Sequence, residues 1–301
     1  MADTPSPPDT DAAIAHVLAH GYYIMEDAFD ADFCDDILAE IHDLEARDAP
    51  LSLRNDFHGH RTARYFDLLN HGEVWQRIPV HPAILPVVRG VLGDDCLLNT
   101  YGTAIIGPGE KAQQIHVDDG PFISAHNSAL RNRPRLVAGG PRSPIVINTM
   151  IALTDFTEET GATRYVPDSP RLPYPREEDA DKWMAESKAA VMSKGSIFFF
   201  EGQCFHSGGA NTTTNERRYG VTVDYCAGYL RTQENFLLTL PHDRVSQFDR
   251  ELRKLVGLWL SEGGLGHVYQ HHPEGIMSAV AMKSVRASDV TGAGRTKAPE
   301  P

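Results

Sequence analysis

Cysteine is scarce. Cys34, Cys96, Cys204 and Cys226 are the only four in 301 residues, and no two stand in C-x-x-C spacing. So few and so dispersed, they form no disulfide framework and fit a reduced, cytoplasmic setting. Positive charge is also in deficit: 28 Lys and Arg face 41 Asp and Glu, a formal net charge of −13. Nucleic acid and anionic membrane surfaces both demand a basic face, so neither is an expected partner. Long apolar runs are missing as well. No stretch approaches the roughly 18 residues that span a bilayer. The beginning, MADTPSPPDTDAA, has neither the basic start nor the apolar run of a secretory signal. What is present is a chain with 41% hydrophobic residues, enough for one large domain with a sizeable core.

Texture divides the chain. Residues 1–10 are polar and Pro-rich and are expected as a disordered lead-in. Residues 11–283 read as a single domain, and 284–301 as a disordered tail. Asp11 can cap a first helix with Ile14, Val17 and Leu18 as its apolar stripe, ended by Gly21. A short strand over 22–25 follows. A second helix starts at Asp30 or Asp32 and carries Cys34, Ile37, Leu38, Ile41 and Leu44 at helical spacing. A third helix is expected over 81–91. From about 95 to 230, short apolar runs alternate with Gly, Pro, Asn and Asp. They predict strands over 96–102, 103–106, 113–117, 145–153, 163–166, 196–200 and 219–227, hence a sandwich or barrel. The loops 119–143 and 168–193 have the length of segments that cover a site, the second with a helix over 177–191. Helical character returns from 233 to about 261.

Two histidines and one carboxylate on one face of an octahedron are the donor set of non-haem iron(II) oxygenases, which leave the other positions open. Three pairs of the required spacing occur: His71-Gly72-Glu73, His116-Val117-Asp118 and His272-Pro273-Glu274. With 14 histidines, chance alone supplies such matches, so context decides. Only His116-Val117-Asp118 closes an apolar-flanked strand and enters a turn, Asp118-Asp119-Gly120-Pro121. A third donor, His206, follows the apolar run Phe198-Phe199-Phe200 and precedes Ser207-Gly208-Gly209. Eleven residues later Arg217 opens another apolar strand. Pointing inward it needs an anionic partner, which a dicarboxylate co-substrate provides bidentately; alternatively Arg217 and Arg218 form a solvated turn. Cys204 reads as a buried, inert thiol. His58-Gly59-His60 reads as an exposed loop, and Phe57, Phe66, Phe122 and Met150 as core or pocket wall.

Three blocks carry a resemblance: residues 113–119 (QQIHVDD), residues 156–167 (FTEETGATRYVP), and residues 206–211 (HSGGAN) with Arg217-Arg218. Over roughly 12–265 the chain resembles the phytanoyl-CoA dioxygenase family, most closely its members that oxidise natural products. The resemblance implies a mainly β fold, a double-stranded β-helix (jelly-roll, cupin-like core) flanked by helices. It implies iron(II) held by His116, Asp118 and His206, with 2-oxoglutarate and O2 as co-substrates. It implies Arg217 as the partner of the distal carboxylate of 2-oxoglutarate, with Thr163, Gln113 and Arg64 as further co-substrate contacts. Strand alternation would instead put Gln114 on the face of His116. Related halogenases have Gly or Ala in place of the carboxylate; Asp118 therefore predicts oxygenation.

The expected activity is a 2-oxoglutarate-dependent oxidation of an aliphatic C–H, by hydroxylation, desaturation or rearrangement, on a small and largely apolar metabolite of secondary metabolism. Two competing readings are a zinc or manganese cupin-type enzyme without 2-oxoglutarate, which needs no buried dicarboxylate clamp, and a non-catalytic binding protein. An acyl-CoA substrate would favour a basic rim, which a charge of −13 scarcely offers. A homodimer is among the allowed assemblies.

Overall fold

The computed structural model describes residues 9–48, 55–120, 143–173, 175 and 177–275. The expected tail, most of the lead-in and of the loop 119–143, and Phe122 lie outside the described residues.

The chain opens with helix α1 (Thr10–His20), strand β1 (Tyr22–Met25) and helix α2 (Ala31–Arg47). Asp9, not Asp11, caps α1, its carboxylate accepting from the Ala12 N–H at 3.0 Å. Ala13 and Val17 are its buried face, while Leu18, expected in the stripe, is exposed. Gly21 ends the helix at φ 86°, a left-handed conformation that glycine adopts without strain. Asp30 caps α2 through the Phe33 N–H at 2.7 Å. Phe33, Cys34, Ile37, Ile41 and Leu44 form the buried stripe of α2.

There follow β2 (Thr62–Ala63), α3 (Val74–Arg77), α4 (Leu85–Leu92), β3 (Leu97–Ile106), β4 (Val146–Ala152), β5 (Arg164–Tyr165), α5 (Ala180–Glu186), β6 (Lys188–Ala189), β7 (Ile197–Glu201), β8 (His206–Ser207) and β9 (Arg218–Cys226). The short helices α6 (Phe236–Thr239), α7 (His242–Val245) and α8 (Arg250–Leu255) follow β9. Two expected strands, 96–102 and 103–106, are one, β3. The helix expected over 177–191 stops at Ser187, whose backbone turns extended and whose hydroxyl is held by Arg164 Nε at 2.7 Å. The chain then enters β6 beside β5. The expected strand 113–117 is not one; only His116 forms a bridge.

Among the described residues the strands make two antiparallel sheets, one in the order β1-β7-β4-β9-β3-β2 and a smaller one in the order β6-β5-β8. The period-2 alternation of a strand gives the larger sheet two unlike faces. On its outer face Leu98, Tyr101, Ile105, Ile147, Ile151, Ile197, Phe199, Val221, Val223 and Tyr225 join the stripes of α1, α2 and α4 in the main core. The inner face is built in rows of directly opposed residues. Thr100, Asp224, Asn148 and Phe200 form one, Gly102, Thr222, Met150 and Phe198 the next, then Ala104, Gly220 and Ala152, then Ile106 and Arg218. Gly102, Ala104, Ala152 and Gly220 are small, which hollows that face.

A register shift between Leu98 and Thr100 leaves Asn99 as an extra residue on β3, a bulge that bends the strand. Its carbonyl accepts from the Glu234 N–H at 2.9 Å and its side-chain oxygen from the Gln233 N–H at 2.8 Å. The bulge thus docks the segment after β9 against the sheet. Glu234 in turn accepts from the Tyr101 N–H at 3.2 Å.

Burial, with Asp67 adding, pushes the Glu234 carboxyl up to about 7. Above about pH 4.3, the ordinary glutamate value, the unfolded chain releases a proton that the native state keeps. Native stability therefore falls as pH rises through this window and levels off above it. Glu234→Gln should remove that slope. Urea unfolding at about pH 5 and about pH 8 checks it: the wild type should lose more stability between the two than the variant, and equal losses would contradict the assignment.

Candidate metal centre

His206, in β8, and His116 face each other across an antiparallel bridge. The His116 N–H donates to the His206 carbonyl at 2.9 Å, and the His206 N–H to the His116 carbonyl at 3.1 Å. The smaller sheet is thereby continued beyond β8 by a single residue. Its imidazole ring lies 4.4 Å, centroid to centroid, from that of His206. The chain then turns, fixed by the Asp118 N–H on the Gly202 carbonyl at 2.8 Å. That turn brings the Asp118 carboxylate 3.1 Å from His206 Nε2 and 3.7 Å from His116 Nε2. Among the described residues, these three are the one group of His, Cys, Asp or Glu set to hold a metal, each offering a ligand atom within 4.8 Å of the others.

The chemistry of the donor set fits an ion. His116 Nδ1 lies 2.8 Å from the Gln114 carbonyl and His206 Nδ1 lies 2.9 Å from the Cys204 carbonyl. A carbonyl only accepts, so each Nδ1 carries a hydrogen and each Nε2 is the nitrogen turned toward Asp118, the one available to ligate an ion. Asn148 Nδ2 donates at 2.6 Å to Asp118 Oδ2, the oxygen that also faces His206, fixing the carboxylate as outer hydrogen bonds fix metal ligands. Burial, then neighbouring His206, pushes the His116 pKa down to about 4. Burial works against the ionised form of Asp118, but His206, His116 and Asn148 outweigh it and hold the carboxyl well below its ordinary range. Burial likewise opposes charge on His206, and Asp118 overrides it and raises the pKa. An anionic oxygen and a neutral imidazole stand ready at neutral pH, the protonation states a divalent metal needs.

These groups open onto a cavity of about 240 Å³ against the inner face of the larger sheet. Arg64, Thr163 and Gln113 line it, as the resemblance implies. Arg217 does not. Its guanidinium lies on the outer face, 2.5 Å from Glu45 of α2 and 2.8 Å from the Tyr219 hydroxyl. The cavity arginine is its neighbour Arg218, 1% exposed. The reason is alternation: 218, 220, 222 and 224 face inward, and 219, 221, 223 and 225 pack toward the helices. Arg218 stacks on Phe156 with 4.3 Å from guanidinium carbon to ring centroid and donates to the Gly161 carbonyl at 2.8 Å. Burial, with Arg64 adding, pulls its pKa down to about 9. Its Nε, the Nε of Arg64 and the hydroxyl of Thr163 are buried without a hydrogen-bond partner among the described residues. Three buried polar groups left unsatisfied around one hollow mark a place for a polar ligand.

Gln113 is occupied differently from the expectation. Its amide oxygen accepts from the Gly208 N–H at 2.8 Å and its nitrogen donates to the Phe57 carbonyl at 2.5 Å, so both ends clamp backbone. Gln114, absent from the cavity wall, supplies the carbonyl that orients His116. Phe57 lines the cavity and sets its ring edge-on to His116 at 4.9 Å. His58 lines the cavity too, and His60 pairs with exposed Asp56. Cys204 is buried, its thiol pushed up to about 12 by burial, as an inert core cysteine should be.

Asn148, Asp224 and Gln233 escaped the sequence reading. For Asp224 a signal existed, a carboxyl inside an apolar strand. Burial, then Asp118, pushes its pKa well above the carboxylate range. Asn148 is the most direct test of how the ligands are held. Asn148→Ala should weaken metal binding by roughly 10- to 100-fold, the usual loss when an outer hydrogen bond to a ligand is removed. Titration of the metal-free protein with cobalt(II) checks it; unchanged affinity would contradict the role.

The family model for phytanoyl-CoA dioxygenase (PhyH) matches residues 18–219. Dioxygenase FUM3 of Gibberella moniliformis is 31% identical over 188 residues, 60% of this chain and 57% of that protein. Dioxygenase aneA of Aspergillus aculeatus is 29% identical over 203 residues, 66% of this chain and 61% of that protein. The chain thus spans about three fifths of the length of these curated relatives. Among solved structures, the epimerase SnoN in complex with Fe3+, alpha ketoglutarate and nogalamycin RO superposes with a TM-score of 0.59 at 20% identity, over 77% of this chain and 90% of that one. HygX from Streptomyces hygroscopicus, with nickel, 2-oxoglutarate and hygromycin B bound, gives 0.59 at 16% identity, over 74% and 88%. Both likenesses bear out the fold, a jelly roll flanked by helices. By the match across two thirds of its length, the chain belongs to the phytanoyl-CoA dioxygenase (PhyH) family.

Proposed function

We propose that this protein is an iron(II)- and 2-oxoglutarate-dependent dioxygenase that oxidises an aliphatic C–H of a small metabolite. The observation that carries the reading is the pairing of two features in one cavity. A two-histidine, one-carboxylate set is pre-oriented through both Nδ1 atoms, and a fully buried arginine in the same cavity, Arg218, has no carboxylate among its contacts with the described residues. A buried guanidinium without an anion is costly, and a dicarboxylate placed between it and a divalent metal removes that cost. A zinc or manganese cupin-type enzyme has no use for such a cation.

His116, Asp118 and His206 would hold iron(II), and Arg218 would take the distal carboxylate of 2-oxoglutarate in a bidentate pair. Iron, keto acid and O2 together supply the oxidising power that converts a C–H bond, with succinate and carbon dioxide as co-products. The chain's own residues bind, orient and exclude water. The free hydroxyl of Thr163 and the free Nε of Arg64 are donors to the co-substrate's oxygens. Ala104 and Gly220 leave room in front of Arg218; a Cβ on Gly220 would come within 3.0 Å of both Met150 and Phe156. Phe57 and Phe200, with rings 4.9 Å from His116 and 4.6 Å from His206, keep the metal's surroundings dry.

The substrate belongs to secondary metabolism in this reading. Support comes from the curated dioxygenases and from solved relatives whose titles record nogalamycin RO and hygromycin B. The acidic balance of the chain disfavours an acyl-CoA. No helix among the described residues is long and apolar enough to cross a membrane, which accords with a cytoplasmic enzyme.

The test separates the two adjacent arginines. Anaerobic addition of iron(II) and 2-oxoglutarate should give a weak visible charge-transfer band that titrates with the keto acid. Arg218→Ala should raise the 2-oxoglutarate Kd roughly 100-fold or more, the scale of breaking a buried charged pair. Arg217→Ala, on an exposed pair, should change it by less than about threefold. No band in the wild type, with tight zinc binding, would favour the cupin-type alternative. A larger effect at Arg217 than at Arg218 would refute the clamp.

A further inference from the structure

The row of the inner face that lies farthest along β9 from Arg218 is polar. Thr100, Asp224 and Asn148 stand directly opposite one another on three adjacent strands. Asn148 uses its nitrogen on Asp118, while its side-chain oxygen is buried with no partner among the described residues. Thr100 and Asp224 line the cavity, and so does Gln233, carried in by the segment that docks on the Asn99 bulge. Through Asn148 this row adjoins Asp118, so a molecule held on it lies beside the metal centre. The neighbouring walls are apolar: Phe66 and Met150 line the cavity with Phe200.

We infer that Asp224, with Thr100 and Gln233, is the polar anchor of the substrate, taking a hydroxyl or a protonated amine and thereby presenting an otherwise apolar body to the metal centre. A carboxyl in the middle of a sheet is not needed for packing; a valine would fill the row and contribute to strand stability. What the carboxyl and the Asn148 oxygen offer is acceptors, and acceptors at a buried wall select ligands with donors. The inference rests on the oxygenase reading and narrows its substrate to compounds with a hydrogen-bond donor.

Three matched probes test it: cyclohexanol, cyclohexylamine and methoxycyclohexane. Each is titrated by saturation-transfer NMR into protein loaded with zinc(II) and 2-oxoglutarate. The alcohol or the amine should bind roughly tenfold more tightly than the ether, the scale of one hydrogen bond made at a buried wall. Asp224→Ala should erase that preference. The isosteric Asp224→Asn, which keeps the shape of the wall, should reduce the amine's advantage more than the alcohol's. A wild type that binds the three alike, or not at all, overturns the inference, as does a preference that persists in both variants. Titration of 2-oxoglutarate in the same samples separates the two proposals: if it fails to saturate the wild type, the oxygenase reading falls and this inference with it.

Discussion

Two backbone hydrogen bonds, exchanged between His116 and His206, hold this site together. They fix the spacing of two side chains far apart in sequence and set the imidazoles side by side. The remaining freedom, rotation of each ring, is removed by a carbonyl: that of Gln114 for His116 and that of Cys204 for His206. Both Nδ1 atoms face backbone, so both Nε2 atoms must face Asp118. The ligand set is therefore a product of main-chain geometry, with no side chain other than Asn148 needed to orient its three members. Sites held this way change little on metal binding, and that rigidity serves selective chemistry at an open coordination face.

The larger sheet explains how one set of strands can be both core and cavity wall. Each of its central strands has an apolar parity that packs on the helices and an opposite parity that faces the cavity. On β9 the first is Tyr219, Val221, Val223 and Tyr225, and the second is Arg218, Gly220, Thr222 and Asp224. Stability comes from the helix-covered face, where the apolar side chains cluster and the buried Thr103 and Thr149 hydroxyls are hydrogen-bonded to backbone. The inner face can then carry buried charge, small residues and unsatisfied donors that no self-sufficient core would tolerate. The bulge at Asn99 is the same device at a smaller scale. It costs β3 one regular pairing and in exchange seats the 232–234 segment at the mouth of the hollow.

Much of this was legible in the sequence, for identifiable reasons. Helix α2 follows from an Asp cap and a stripe at helical spacing, and the strands after residue 95 follow from apolar runs bounded by turn residues. The grouping of the candidate ligands was legible because His116-Val117-Asp118 ends such a run and His206 follows another. The order of Arg217 and Arg218 was misread, although parity could have settled it: Arg218 shares its face with Gly220, Thr222 and Asp224, Arg217 with the apolar residues. Segment 113–117 looks like a strand because Ile115 and Val117 flank its histidine. Its partners are too short to continue a ladder, so only one bridge forms. The resemblance put Gln113 at the cavity, but what its amide holds there could not be read from sequence. Its role depends on Phe57 and Gly208, which come near it only in the folded chain.

The central claim is that His116, Asp118 and His206 bind one iron together. Iron K-edge X-ray absorption on the anaerobic, iron(II)-loaded protein tests it most directly, because imidazole ligands leave a countable outer-sphere scattering pattern. The account predicts two imidazoles on the iron in the wild type and one in His206→Ala. An unchanged imidazole count in that variant, or iron bound without imidazole in the wild type, would contradict it.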